Sequence, residues 1–236
     1  MTFNADQITE LRSTIRERGY AHLTAVGTSP EELLEVLSYL GQPRSGTFWA
    51  ELQTVAFTGA SVENSVAESD QVLPAHTDGS FEPDPPELLL LQCIQPDLAG
   101  YGESRVITVD DIVAALPTET VELLCEPWYY FSKHEQTGTA ETTGPVLWQL
   151  DDGRNAIRYR HDQKYQIVGN SEQAKAAVAD LAASVLALND RRPAPLAAGD
   201  VLVLDNRRCL HSRTALSGHV VRELRTAWGD YDRADV

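Results

Sequence analysis

No stretch of this 236-residue chain reaches 18 consecutive apolar residues, so the sequence predicts no membrane-spanning helix. The opening Met-Thr-Phe-Asn-Ala-Asp-Gln has neither the basic nor the apolar region of a secretory signal. Cysteine is scarce: three residues, odd in number and widely separated, exclude a disulfide framework and point to a reducing cytoplasm. Positive charge is scarce as well. Nineteen Lys and Arg against 35 Asp and Glu leave a formal charge of −16, the wrong sign for gripping a phosphate backbone, so nucleic acid drops out as a partner. The charge itself reads as a solvated acidic surface. There is no internal repeat, no low-complexity segment and no glycine-rich phosphate loop following a strand, and nothing speaks to oligomeric state.

What the chain does contain is an ordinary 42% of hydrophobic residues, enough at this length for one substantial core. We read residues 1–236 as one domain, with N-terminal helices over about 5–41 and a β-rich core over about 54–230. Ile8, Leu11 and Ile15 at helical spacing predict a helix over 5–17. Ser29, Pro30 and Glu32 form a capping-box signature for a second helix. Leu33, Leu34, Val36, Leu37 and Leu40 give it a buried face, and Gly41 is its expected stop. Residues 54–108 and 128–168 read as short strands broken by Gly, Pro and Asp. Two short helices flank Pro117, and a long Ala-rich helix runs from Ser171 to about Leu188. Strands follow at 201–204, 209–213 and 220–228. Helices and strands do not alternate regularly, so the expected fold is mainly β with helical additions (α+β): a jelly roll, or double-stranded β-helix.

The chemistry concentrates in His76-Thr77-Asp78 and a distant His211. Two imidazoles and a carboxylate can hold iron(II) on one face and leave the opposite face open. On a strand, residues i and i+2 project to one side, which lets His76 and Asp78 share an ion. An isolated His-x-Asp is more often a plain hydrogen-bonded pair, so the surrounding blocks carry weight.

Four blocks occur in order. Gly19-Tyr20-Ala21-His22-Leu23 precedes a helix ending Leu40-Gly41-Gln42-Pro43, and His76-Thr77-Asp78-Gly79-Ser80-Phe81 comes next. Gly100-Tyr101-Gly102-Glu103-Ser104 and Ala198-Gly199-Asp200 through Asp205-Asn206 to His211-Ser212-Arg213 and Arg222 follow. In these blocks the chain resembles the taurine dioxygenase and clavaminate synthase-like group of iron(II)- and 2-oxoglutarate-dependent oxygenases.

The resemblance implies iron(II) at His76, Asp78 and His211, with 2-oxoglutarate and dioxygen as co-substrates. It also implies a Ser or Thr hydroxyl against 2-oxoglutarate at Ser104, 28 residues after His76, although an ordinary turn serine reads nearly as well. The far carboxylate of 2-oxoglutarate calls for a planar arginine fork. Strand parity groups Arg222 with Leu224, Thr226 and Trp228 on an apolar face and Arg225 with Glu223 on a solvated one, so Arg222, eleven residues after His211, is the candidate. Many relatives carry a second arginine where this chain has Thr226, which leaves open that Thr226 assists or that Arg225 substitutes across a bulge. An intact Asp78 implies hydroxylation, desaturation or ring closure, since relatives that halogenate carry a small residue there.

The expected substrate is a small molecule, an amino acid or natural-product intermediate. Arg154, Arg158, Arg160, His161 and Lys164 form the densest basic cluster and favour an anionic group, although a solvated hairpin reads equally well. Arg213 is a second candidate anchor and Phe81 a candidate apolar wall. His22 reads as structural, His134, His161 and His219 as exposed, and Cys209 as a small buried residue. Two alternatives stay open: a cupin-like metal enzyme that does not use 2-oxoglutarate, and a catalytically silent jelly-roll binding module.

Overall fold

The computed structural model describes residues 3–44, 52–56, 69–133, 142–162, 164–217 and 222–232. The first helix, α1 (Ala5–Arg18), opens on a capping box between Asn4 and Gln7 and ends on Gly19 in the left-handed region. The second, α2 (Pro30–Ser38), has the Ser29–Glu32 capping box legible in the sequence and buries Leu33, Val36 and Leu37. It stops at Ser38, not at Gly41. Gly41 instead starts a strand, where the carbonyl of Asp230 comes so close that a Cβ would collide with it. Pro117 separates α3 (Val109–Ala115) from α4 (Thr118–Leu124), and Ser171 caps α5 (Glu172–Leu188).

Two antiparallel sheets form the centre. The larger orders β1 (Tyr20–Leu23), β13 (Val201–Asp205), β5 (Leu88–Gln95), β15 (Glu223–Tyr231) and β2 (Gly41–Pro43), with β3 (Leu52–Ala56) also on β15. The smaller orders β12 (Pro193–Ala194), β6 (Ser104–Thr108), β14 (Cys209–Arg213) and β4 (Leu73–His76). Two minor antiparallel sheets join β11 (Tyr165–Gly169), β7 (Tyr129–Lys133) and β8 (Thr142–Gly144), and β9 (Leu147–Gln149) with β10 (Asn155–Ile157). This is a jelly roll with helical additions.

Pleat alternation distributes the core. Leu89, Leu91 and Cys93 of β5 join Leu202 and Leu204 of β13, Leu224 of β15, Val106 of β6 and Cys209 of β14 between the sheets. The opposite faces of β5 and β13 (Leu88, Leu90, Val201, Val203) pack on α1 and α2. Ile107 and Leu210, on the far side of the smaller sheet, pack on α3, α4 and α5. With both faces covered, Leu88–Leu91 reads as a continuous apolar run, each leucine contributing about 1.5–3 kcal/mol. Among the described residues no helix is long and apolar enough to cross a membrane.

Candidate active site

His76 ends β4 and His211 lies in the middle of β14, and the antiparallel register sets the two directly opposite each other. Their ring centroids are 4.2 Å apart. Asp78 is not on the strand, as the i and i+2 argument had it, but in the turn that follows, where Gly79 takes φ +65°. The turn still brings the carboxylate to the same side: Asp78 Oδ1 lies 3.2 Å from His76 Nε2 and 3.8 Å from His211 Nε2. One ligand atom from each of the three residues lies within 4.8 Å of the others, the separation that a single ion can span.

The surroundings suit a divalent cation. His76 Nδ1 donates to the Pro74 carbonyl at 2.8 Å, which orients the ring with Nε2 toward Asp78 and His211. Burial would raise the pKa of Asp78, but the hydrogen bond from His76, the proximity of His211 and the indole N–H of Trp228 outweigh it and hold the carboxyl well below the usual range. Burial, reinforced by His76, pushes His211 down to about 3. A carboxylate and a neutral imidazole are the states in which these groups bind metal. His211 Nδ1 is buried and has no hydrogen-bond partner among the described residues.

A second buried group lies along the same strands. β6 sets Val106 opposite His211 and Ser104 opposite Arg213, so Ser104 sits two positions along the sheet from the imidazole. Arg222 Nη2 donates to Ser104 Oγ at 3.0 Å. The Arg222 guanidinium is buried, and no carboxylate among the described residues makes an ion pair with it. Burial lowers its pKa, opposed by nearby Cys93 and Asp97. Gly102, at φ +70°, makes room for it: a Cβ there would come within 2.8 Å of Arg222 Cδ. Arg213 stands close by, its own pKa pushed down to about 10 by burial and by Arg222.

The sequence profile of the family described as "Taurine catabolism dioxygenase TauD, TfdA family" matches residues 1–228. The chain belongs to this TauD/TfdA family. A trimethyllysine dioxygenase of the yeast Meyerozyma guilliermondii is 25% identical over 229 residues. That match covers 91% of this chain and 56% of the yeast protein, so the chain spans about half the length of its curated relative. Among solved structures, asparagine oxygenase with Fe(II), 3-hydroxyasparagine and succinate superposes with a TM-score of 0.75 at 20% identity, covering 95% of this chain and 79% of that one. The non-heme iron oxygenase OrfP, in complex with Fe and alpha-ketoglutaric acid, gives a TM-score of 0.72 at 20% identity, covering 98% and 81%. At these identities the likeness establishes the TauD-like fold.

In this TauD/TfdA chain Arg222 precedes β15 instead of lying on it, and the register shifts between Glu223 and Leu224. Parity therefore does not run unbroken to residue 222, yet its side chain is buried inward. Arg225 points the other way, donating to the Thr28 carbonyl and to Gln92 Oε1, both at 2.7 Å. It is a tie to the α2 side of the sheet and not the solvated residue expected. Thr226 is 3.5 Å from the Gln53 carbonyl. Arg213 turns toward the carbonyls of Ser69 and Gln71, at 3.0 and 2.6 Å.

The basic cluster splits. Arg154 pairs with Asp152. Arg158 lies over the Phe131 ring in a cleft of about 280 Å³ lined also by Thr77, Pro83, Trp148 and Asn206, none of them metal-ligand candidates. Arg160 lies over the Tyr165 ring, and the Phe81 ring is tilted against Tyr165 with centroids 5.3 Å apart. His22 pairs with Asp200 at 3.0 Å, and His161 is exposed. Cys209 is buried, and His134 and His219 lie outside the described residues.

Two residues went unseen in the sequence. Asn206 brackets the turn that carries Asp78, accepting from the Asp78 amide at 2.8 Å and donating to the carbonyls of Asp78 and Pro86. Trp228 Nε1 donates to Asp78 Oδ2 at 2.9 Å, leaving Oδ1 toward the histidines. Parity had put Trp228 on the inner face, which was the available signal. For Asn206 there was only its place in the Asp205-Asn206 block.

Proposed function

We propose that this protein is an iron(II)- and 2-oxoglutarate-dependent oxygenase that oxidises a C–H bond of a small molecule. The observation that carries the reading is the pairing of a convergent His76–Asp78–His211 set with a buried Arg222–Ser104 pair, Ser104 lying on the strand next to that of His211. The triad fits iron(II), and a bound iron(II) would supply the oxygen chemistry: one atom of O2 enters the substrate and the other enters succinate, with CO2 released. His76 and Asp78 on one segment and His211 on another would hold the ion. Asn206 and Trp228 hold Asp78 in place, by its backbone and by Oδ2. Arg222, supported by Ser104 and by the field of Arg213, pairs with the far carboxylate of 2-oxoglutarate, a desolvated contact that gains strength from the exclusion of water.

The likeness to a trimethyllysine dioxygenase and to an asparagine oxygenase supports amino acids and related metabolites as the first candidate substrates. The three free cysteines and a ferrous ion suit a reducing compartment, and we place the protein in the cytoplasm. The test is to add iron(II), 2-oxoglutarate and oxygen and measure succinate and CO2. Formation of both, abolished by omitting oxygen or by His76→Ala, is the expected result. Equal succinate with and without oxygen would overturn the proposal. Substrate oxidation that needs no 2-oxoglutarate would turn it toward a cupin-like metal enzyme.

A further inference from the structure

Beyond Ile157 the chain leaves β10 and runs beside the metal turn, with the Thr77 amide bonded to the Tyr159 carbonyl at 2.7 Å and the Tyr159 amide to Thr77 Oγ1 at 3.0 Å. This lacing sets the next residue, Arg160, beside the segment that carries His76 and Asp78. The guanidinium carbon lies 3.7 Å from the centroid of the Tyr165 ring. Its Nε donates to Asp162 Oδ2 at 3.1 Å. Asp162 Oδ1 is itself fixed by the amides of Lys164 and Tyr165, at 2.8 and 3.0 Å. One edge of a flat cation is thus clamped, while Nη1 and Nη2 meet no acceptor among the described residues.

The other arginines nearby are committed elsewhere. Arg213 is turned to main-chain carbonyls, Arg222 to Ser104, and Arg158 to the cleft beyond Thr77. A planar fork with two free parallel N–H groups matches a carboxylate, and clamping it beforehand reduces the entropy lost on binding. The Tyr165 and Phe81 rings beside it, tilted against each other, offer an apolar wall.

We infer that Arg160, clamped by Asp162 and Tyr165, binds a carboxylate of the substrate, and that the substrate is a small carboxylic acid whose stem lies along Phe81 and Tyr165. The inference rests on the oxygenase reading above and names the substrate class of that same site. It places the reaction on the free acid, not on an amide or an ester.

The probes are the proteinogenic L-amino acids and their carboxamides, assayed for stimulation of succinate formation over the substrate-free rate. In the wild type at least one acid stimulates and its carboxamide needs about 100-fold more, the loss typical of a truncated buried charge pair. In Arg160→Gln the acid needs about 100-fold more while the carboxamide hardly changes, so the preference collapses. Arg160→Lys keeps part of it, a graded result that a misfolded site would not give. Calorimetric titration of the same acid and amide into wild type and Arg160→Gln, loaded with iron(II) and 2-oxoglutarate without oxygen, reads the preference independently of turnover. Carboxamides that stimulate as well as acids overturn the inference. So does an unchanged preference in Arg160→Gln. If no acid stimulates but substrate-free succinate forms, the carboxylate assignment fails and the oxygenase reading stands. If the wild type forms no succinate at all, it is the oxygenase reading that fails.

Discussion

Arg222→Met separates function from stability because the two should move in opposite directions. The Arg222 guanidinium is buried, it donates to the neutral hydroxyl of Ser104, and a second buried guanidinium, Arg213, stands nearby. Breaking a buried charge pair costs about 3–5 kcal/mol, because the surviving charge is left without a partner. In the variant that survivor is the far carboxylate of 2-oxoglutarate. At 1.4 kcal/mol per tenfold, affinity should fall by about two to three orders of magnitude. Without the co-substrate the sign reverses: methionine removes a buried charge that makes no ion pair among the described residues and relieves Arg213, while Asp97 keeps its hydrogen bonds from the amides of Ala99 and Ser217. Replacing buried ionic groups by apolar ones is commonly neutral or stabilising by about 1–4 kcal/mol, and at this chain length about 1 kcal/mol raises Tm by about 2–4 °C. Anaerobic titration of 2-oxoglutarate and thermal melts of the metal-free protein read the two effects. Arg225→Met should change the affinity little, because Arg225 is bonded to Thr28 and Gln92 on the opposite face. Unchanged affinity in Arg222→Met, or a loss of affinity matched by a loss of stability, would refute the argument.

Trp228→Phe keeps the ring but deletes the N–H that holds Asp78 Oδ2, and should weaken metal binding by about 10–100-fold in a direct metal titration; an unaltered affinity would show that the indole is only packing. Stability of the metal-free protein should depend on pH through His211. Its folded-state pKa, pushed down to about 3, lies below the unfolded value of about 6.5, so its contribution is complete above about pH 6.5 and is lost as pH falls toward 3. Urea unfolding across that window should show the slope, and His211→Leu should flatten it.

What could be read in advance follows the range of the interactions. α2 and α5 announce themselves because a cap and its partner lie three residues apart, and the apolar face repeats every turn. The candidate metal ligands could be named in advance because their chemistry is specific to residue type. The turn carrying Asp78 was not, since Asp78 looks the same in sequence on a strand or beyond one, and only Gly79 at positive φ hints at the difference. Gly41 misled for a related reason: a glycine that stops a helix and one that admits a neighbouring carbonyl are written alike. The bonds from Asn206 and Trp228 to Asp78 span most of the chain, and no local pattern encodes such partners. Arg160 fell into a basic cluster whose members proved to face different ways; only folding separates them.

His76 and His211 face each other across two hydrogen-bonded strands, yet more than half of the chain lies between them in sequence. An ion gripping both is therefore also a fastener. It closes a very long loop in a protein whose cysteines are all free, and the ordering it imposes is withheld from the unfolded chain much as a cross-link withholds it. Loss of iron would then silence the proposed oxygenase and loosen the barrel together, so that an idle molecule would become the one most readily cleared by proteases.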